Sequence, residues 1–367
     1  MNIYKQLGVK TIINGFGTVS KIGGSVMAPE VLQAMTEASK HYVEINTLHR
    51  AAGKYIAELL ESEACCITCG AAAGIALATA ACIARNDPVK RLQLPNVEGM
   101  KNEVLMLKCH RILYDQALLL SGAKVVEIGA TSFAMPEQVE AAINEKTAMF
   151  FYVSENESMR GSIELPRLIP ILKKRDVPVV VDAAAELPPR SNISKYQKMG
   201  ADLVLFSGGK ELRGPQSSGL ILGRKDLVEA CQASSSPNYS IARSMKIDKE
   251  TIAGITRAVE LFLEKDYEKI YETWTKMSNF MATEIDKCGK AFVRTGFPHE
   301  AGIQPANILR VYIQPKEKTA QEVYDRLLSL DPQIYTDIRG GEIVINPQCL
   351  NESELKSIVD AIVGNLS

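Results

Sequence analysis

Several classes of protein are excluded by what this chain has little of. Aromatic residues make up 6% of its 367 residues, with one tryptophan, and four histidines are present. No apolar run reaches the ~18 residues that a membrane-spanning helix needs. The first residues, Met1 to Gln6, lack the basic and then apolar profile of a signal peptide, so a cytoplasmic setting with no membrane partner is expected. Net charge is nearly absent. Forty-two basic residues against 43 acidic ones give a formal charge of -1, too little to attract nucleic acid through a global field. Eight cysteines in a chain this long do not resemble a secreted disulfide framework, because most sit inside apolar segments, and reduced thiols are expected. Cys66 and Cys69 satisfy Cys-x-x-Cys, with Cys65 and Cys109 as further thiols. No second Cys-x-x-Cys and no spaced histidine pair completes a zinc set, so no metal is expected. The sequence also has no internal repeat, low-complexity tract or long run of like charge.

What is present is enough apolar material, 46% of residues, for one large domain with a smaller partner. Strand-like runs at residues 64–68, 104–107, 124–128, 148–153, 178–182, 203–206 and 218–222 alternate with amphipathic segments such as 71–84, 136–143 and 165–174. Several of those runs are continuously apolar, as strands are when helices cover both faces of a parallel sheet. The expected fold class is therefore α/β, with a large, mostly parallel seven-stranded sheet. A polar, serine-rich connection at 232–240 precedes a helical pattern from 248 to about 287. The last third alternates strands near 292–294, 307–312, 333–336 and 342–346 with helices at 319–330 and 352–365, which suits a small α+β domain. Three parts are expected. A glycine-rich N-terminal segment, 1–45, packs near the small domain; residues 46–247 form the large domain; a linking helix and the small C-terminal domain occupy 248–367.

The most specific chemistry lies in Val204-Leu-Phe-Ser-Gly-Gly-Lys210, an apolar run that ends on a serine, two glycines and a lysine. Between Gly208-Gly209 and Gly214-Pro215, Lys210 is expected on a backbone that approaches a ligand closely. Burial there depresses the pKa of an amine and makes it a nucleophile. A P-loop is excluded, because Val204 stands at the first glycine position and Glu211 follows the lysine. Twenty-eight residues upstream, the apolar run 177–181 ends in Asp182. A carboxylate and an amine leaving two consecutive strands match what a pyridoxal phosphate site requires: a lysine that forms a Schiff base with the aldehyde and a carboxylate that keeps the pyridine nitrogen protonated. Taken alone, Asp182 fits equally a cap for the next helix. Glu186, four residues on, faces either the ring or solvent.

Thr68-Cys-Gly-Ala-Ala-Ala-Gly74 follows the first of these strands and opens an alanine-rich helix. Gly70, Ala71 and Ala72 then offer backbone N–H groups to a phosphate at the positive end of the helix dipole, or serve tight helix packing. Ser207 adds a hydroxyl to the same phosphate. His110 follows the 104–107 strand, where a flat ring can stack on a cofactor and an imidazole can exchange protons. Arg339, just before the 342–346 strand, is a candidate clamp for a substrate carboxylate, and Arg213, Arg50 and Arg160 are further candidates for anionic groups. Gly15-Phe-Gly17 begins a dinucleotide fingerprint, but no helical pattern opens after it.

With Lys210, Asp182, the Gly70 turn and His110 in this order, the chain resembles a fold type I pyridoxal phosphate enzyme of the bacterial selenocysteine synthase-like group. The likeness rests on Ile13 to Thr18 with Gly23 and Gly24, on Thr68 to Ala73, on Glu127-Ile-Gly129, and on Phe206 to Lys210 followed by Gly214-Pro-Gln216. That last segment is the most specific. The resemblance implies that Lys210 holds the cofactor, that Asp182 contacts the pyridine nitrogen, that Gly70, Ala71, Ala72 and Ser207 bind the phosphate, and that His110 stacks on the ring. It also implies a homodimer or larger symmetric homo-oligomer.

Selenocysteine synthase carries an additional N-terminal domain that engages transfer RNA, whereas the glycine-rich segment here begins within the first fifteen residues. A small, anionic amino acid substrate and no nucleic acid are therefore expected. Shorter members of the group include D-glucosaminate-6-phosphate ammonia-lyases. The leading expectation is a lyase that performs α,β-elimination and deamination on a small β-hydroxy amino acid such as D-glucosaminate 6-phosphate, giving 2-dehydro-3-deoxy-6-phosphogluconate and ammonia. Lys210 would remove the α-proton and its ammonium would assist loss of the hydroxyl, while Asp182 supports the electron sink. An amino-acid racemase, a selenocysteine synthase-like transferase and a non-catalytic pyridoxal phosphate carrier are the alternatives.

Overall fold

The computed structural model describes residues 2–366. The chain forms two compact units: residues 27–264, and the chain up to Val26 together with that from Lys265 onward. In chain order the strands are β1 (Ile12–Asn14), β2 (Ala64–Thr68), β3 (Glu103–Leu107), β4 (Lys124–Ile128), β5 (Thr147–Val153), β6 (Val179–Asp182) and β7 (Leu203–Ser207). They continue with β8 (Gly219–Gly223), β9 (Ala291–Gly296), β10 (Arg310–Pro315), β11 (Gln333–Tyr335), β12 (Asp337–Arg339) and β13 (Glu342–Ile345).

In the larger unit seven strands make one sheet in the order β2-β8-β7-β6-β5-β3-β4. The pairs from β7 through β6, β5 and β3 to β4 are parallel, while β8 is antiparallel to both β2 and β7. This is the mostly parallel, seven-stranded sheet that the apolar runs imply. Every residue of β5 and β6 is buried, so these strands carry no polar alternation. Helices on both faces remove the solvent side that would require it. The helix Ala71–Ala84 is buried from Gly74 to its end. Its small side chains let it lie close to the sheet: a Cβ at Gly74 would stand 3.3 Å from Leu205. The helix Leu165–Lys174 buries Leu165, Leu168, Ile169 and Leu172, one stripe at i, i+3, i+4 and i+7, and exposes its charges.

In the smaller unit an antiparallel sheet runs β12-β13-β10-β9, and β1 pairs in parallel with β11, Ile12 opposite Gln333 and Asn14 opposite Tyr335. Helices Tyr267–Asp286, Ala320–Ser329 and Leu355–Asn365 bring Met281, Ile285, Val323, Leu327, Ile358 and Ile362 onto Val311, Ile313, Ile343 and Ile345. Thr319 and Glu322 close a reciprocal capping box at the start of the second of these helices.

The units divide at other places than the sequence expectation. The chain up to Val26 joins the smaller unit through β1, whereas residues 27–45 belong to the larger one, where helix Pro29–Ser39 packs on helix Lys249–Glu264. Gly254 permits that crossing, since a Cβ there would lie 2.8 Å from Met35. The helical pattern from 248 is two helices, broken where Asp266 caps Tyr267–Asp286 by accepting from the Lys269 N–H. Its first half, Lys249–Glu264, buries Ile252, Ile255, Val259 and Phe262 and belongs to the larger unit. Among the described residues no helix is long and apolar enough to cross a membrane, and no cluster of three His, Cys, Asp or Glu side chains is placed to hold a metal.

Candidate active site

The strands β5, β6 and β7 end side by side. Register sets Val153 opposite Asp182 and Asp182 opposite Leu205, so the chain leaving these strands delivers Glu155, Asp182 with Glu186, and Ser207 with Lys210 to one edge. The carboxyl edge of an open α/β sheet is where ligands bind. Asp182 is buried, and its Oδ1 accepts the Ala184 N–H at 3.0 Å, while Oδ2 accepts no hydrogen bond among the described residues. Burial pushes its carboxyl above the usual range, against the Ala184 N–H and the charge of Lys210.

Lys210 is half-buried, and no ion pair fixes its ammonium among the described residues. Burial draws its pKa down, and the carboxyls of Asp182, Glu155 and Glu186 work in the other direction. Glu155 and Glu186 are both pushed up, chiefly by burial. One amine and three carboxyls held without a salt bridge cost folding energy. Groups of this kind concentrate where chemistry is done. The sequence reading did not single out Glu155 and left Glu186 open. The available signal was position, for they lie two and four residues beyond the strand ends at Val153 and Asp182.

An anion cradle stands on the same sheet. Gly70, at φ 130°, is the N-cap of helix Ala71–Ala84, no side chain caps that helix, and a Cβ on Gly70 would meet nothing within 4 Å. The N–H groups of Ala71 and Ala72 are thus among the unpaired donors that open a helix. Thr68 Oγ1 donates to the Gly70 carbonyl at 2.8 Å and holds the turn. Gly219 of β8 presses against it, since a Cβ there would lie 2.7 Å from the Gly70 carbonyl carbon. Ser207 closes β7, half-buried, with no side-chain hydrogen bond among the described residues.

The glycines around Lys210 do something other than expected. A Cβ on Gly208 would lie 2.0 Å from Ser218 Oγ, one on Gly209 2.4 Å from Gln216 Oε1, and one on Gly214 2.8 Å from Ile255. They let the loop fold onto itself and onto the helix Lys249–Glu264; their Cα atoms face protein.

His110 is held by the protein itself. It ends the turn Lys108–His110 after β3 and is fully buried. Its Nδ1 accepts the Val153 N–H at 3.1 Å, which requires a bare nitrogen there, so Nε2 carries the proton and donates to Ser162 Oγ at 2.8 Å. The Tyr152 ring stands edge-on, with centroids 4.5 Å apart. Burial lowers the imidazole to about 4. Both nitrogens are thus engaged by protein groups and the ring is fully buried.

The arginines separate. Arg213 donates its backbone N–H to the Lys210 carbonyl at 2.9 Å and sits at φ 54°, a left-handed conformation uncommon outside glycine. Arg50 is exposed on helix Ile45–Leu59 and lines two cavities of about 420 and 410 Å³ together with Glu229 and Gln232. Arg160 is exposed in the loop after β5. In the smaller unit Arg339 is already held by Asp337 at 2.5 Å and Glu300 at 3.3 Å.

A mostly parallel seven-stranded sheet with an acid and an amine at adjacent strand ends, joined to a small antiparallel sheet, defines the class: a fold type I pyridoxal phosphate enzyme. Within that class the chain belongs to the family described as SelA, L-seryl-tRNA selenium transferase, whose model matches residues 12–291. It is similar to the D-glucosaminate-6-phosphate ammonia lyase of Salmonella typhimurium, 33% identical over 98% of this chain and 96% of that protein. It is also similar to a 5'-C-glycyluridine monooxygenase-decarboxylase of a Streptomyces species, 31% identical over 97% of this chain and 90% of that protein. A solved structure of D-glucosaminate-6-phosphate ammonia-lyase superposes with a TM-score of 0.87 at 31% identity, covering 100% of this chain and 98% of that one.

Proposed function

We propose that the chain is a pyridoxal phosphate-dependent ammonia-lyase that eliminates the β-hydroxyl of a small anionic amino acid, D-glucosaminate 6-phosphate or a close analogue. The observation that carries the reading is the pair Lys210 and Asp182 on the adjacent strand ends of β7 and β6, both buried enough to be shifted toward neutrality. The likeness at 33% identity to a lyase of that substrate supports the reaction class.

The residues fit the cofactor. The free Oδ2 of buried Asp182 suits a pyridinium N–H, the uncapped helix start at Gly70, Ala71 and Ala72 suits a phosphate, and Ser207 offers a hydroxyl beside it. When bound, pyridoxal phosphate supplies an aldehyde for an amine and a ring that accepts the electron pair released at the α-carbon. Lys210 would hold the aldehyde end and, when free, would remove the α-proton of the substrate; burial, which draws its pKa down, favours the neutral amine that this role needs. The resulting ammonium returns a proton to the departing hydroxyl. Asp182 would hold its negative charge opposite the pyridinium N–H of the bound cofactor. Arg213, beside Lys210 in the loop, is the arginine proposed for the anionic end of the substrate; Arg50 and Arg160 follow it. A homodimer completes the proposal, and exposed Leu113, Tyr114 and Tyr239 on the larger unit give such an assembly apolar surface to bury.

The test is a screen of β-hydroxy amino acids and amino-sugar acids with ammonia and 2-oxo acid measured together. Equal release of both from D-glucosaminate 6-phosphate is expected. Recovery of epimerised substrate without ammonia would replace elimination by racemisation.

A further inference from the structure

We propose that Glu186 carries a proton for the Lys210 site and that Tyr196 links it to Glu157 and Lys195 at the surface, forming a path along which the site exchanges protons with solvent. The inference rests on the reading of Lys210 given above and adds to it a residue whose orientation the sequence left open.

The four groups form a chain of polar contacts from the interior outward. Tyr196 Oη lies 3.3 Å from Glu186 Oε2 and 3.3 Å from Glu157 Oε2, and Lys195 Nζ lies 3.3 Å from Tyr196 Oη and 3.2 Å from Glu157 Oε2. Exposure rises along it: Tyr196 and Glu186 are buried, whereas the side chains of Lys195 and Glu157 are 32% and 30% exposed. The geometry is fixed from both sides. Asn192 Nδ2, three residues before Lys195 on helix Asn192–Met199, donates to the Glu186 carbonyl at 2.8 Å and ties the loop after β6 to that helix. The Lys195 ammonium stands 4.7 Å from the Tyr196 ring centroid.

Donors and burial together assign the charges. The Lys195 ammonium serves Glu157, and the one phenol proton reaches a single carboxylate oxygen, so Glu186 Oε1 is left with no donor. Glu186 is therefore where a proton rests, because it is buried and a charge on its unpartnered oxygen costs most. Ser154 does not relieve it, since that hydroxyl, beside the Glu186 carboxyl, donates to the Asp182 carbonyl at 2.7 Å. Ser154 and Glu157 from the chain leaving β5 and Lys195 and Tyr196 from the helix act on Glu186, whose charge in turn acts on Glu155 and on Lys210. Glu157 is the carboxylate, paired with Lys195.

The transfer balances. When Glu186 gives its proton to the Lys210 amine, Tyr196 passes its own to Glu186 Oε2 and takes one from the Lys195 ammonium, and the Lys195 amine regains a proton from solvent water, which leaves as hydroxide. No electrons move, and the site ends as it began with one proton delivered. Glu186 acts through Lys210 and is a positioning residue.

Two measurements on the full chain test this. Carbon-13 NMR of labelled glutamate carboxyls should show a resonance still in the protonated range where ordinary glutamates, near ~4.3, have ionised; it should vanish in Glu186→Gln and remain in Glu155→Gln. Turnover of substrate deuterated at the α-carbon in ordinary water should wash the label out in the wild type and return it severalfold more to product in Tyr196→Phe. Lys195→Met, near the surface, repeats that measurement should Tyr196→Phe fold poorly. Glu186→Gln should lower kcat about a hundredfold with KM unchanged. Absence of the resonance, its survival in Glu186→Gln, or unchanged label washout in the folded variants would overturn the path. If Lys210→Ala is inactive while Glu186→Gln behaves as wild type, the path fails and the reading of Lys210 stands; if Lys210→Ala still turns over, that reading fails.

Discussion

The chain leaving β3 and the chain leaving β7 each carry a titratable side chain three residues past an apolar strand end, His110 after Leu107 and Lys210 after Ser207. The two are used in opposite ways. His110 has a protein partner on each nitrogen, a fixed tautomer and no exposure, and it ties the β3 turn to β5 through Val153 and to the loop at Ser162. Lys210 has no ion-pair partner among the described residues and faces carboxyls that burial holds toward neutrality. Position at a strand end therefore does not make a site. What separates the two is whether the protein itself already satisfies the group.

Substitutions at each end sharpen this contrast. The largest effect is expected at the β7 side: Asp182→Ala should lower kcat by about 10²–10³-fold with the fold intact, because a preorganised charge is lost where charge develops. Steady-state kinetics beside a thermal melt checks it, and near wild-type turnover would break the contrast. At the β3 side the effect should fall on stability. The folded His110 titrates at about 4 and the unfolded one near ~6.5, so between those values the unfolded chain binds more protons and stability rises with pH. The His110 contribution is complete above about 6.5 and is lost as pH falls toward 4, amounting to about 3 kcal/mol. Urea titrations across that window should show the loss in the wild type and a flatter curve in His110→Gln. That variant should be less stable at neutral pH by about 1–3 kcal/mol, for a partner left unsatisfied. A large fall in its kcat with unchanged stability would place His110 back in the chemistry.

The strands were legible because their signal is local. Val179, Val180 and Val181 read as a buried strand whatever surrounds them, and the alanine-rich helix 71–84 appears with those bounds. Lys210 and Asp182 were legible as a pair because each ends such a run. The rest depends on partners distant in the chain. Nothing local says that Pro29–Ser39 packs on Lys249–Glu264, that Gly208 is pressed against Ser218, or that Val153 donates to His110. Glu186 was undecidable for the same reason: its neighbours, Tyr196 and the loop after β5, lie ten and about thirty residues away. Local pattern gives elements and strand-end candidates, while long-range hydrogen bonds decide which candidate stays free to react.

Borohydride reduction of the protein with pyridoxal phosphate bound, followed by peptide mapping, examines the freedom of Lys210 itself. The reduced cofactor should be found on the peptide containing Lys210 in stoichiometric amount and be absent from Lys210→Ala. An adduct on another lysine in the wild type, or the same yield in Lys210→Ala, would contradict the assignment of Lys210 as the reactive amine.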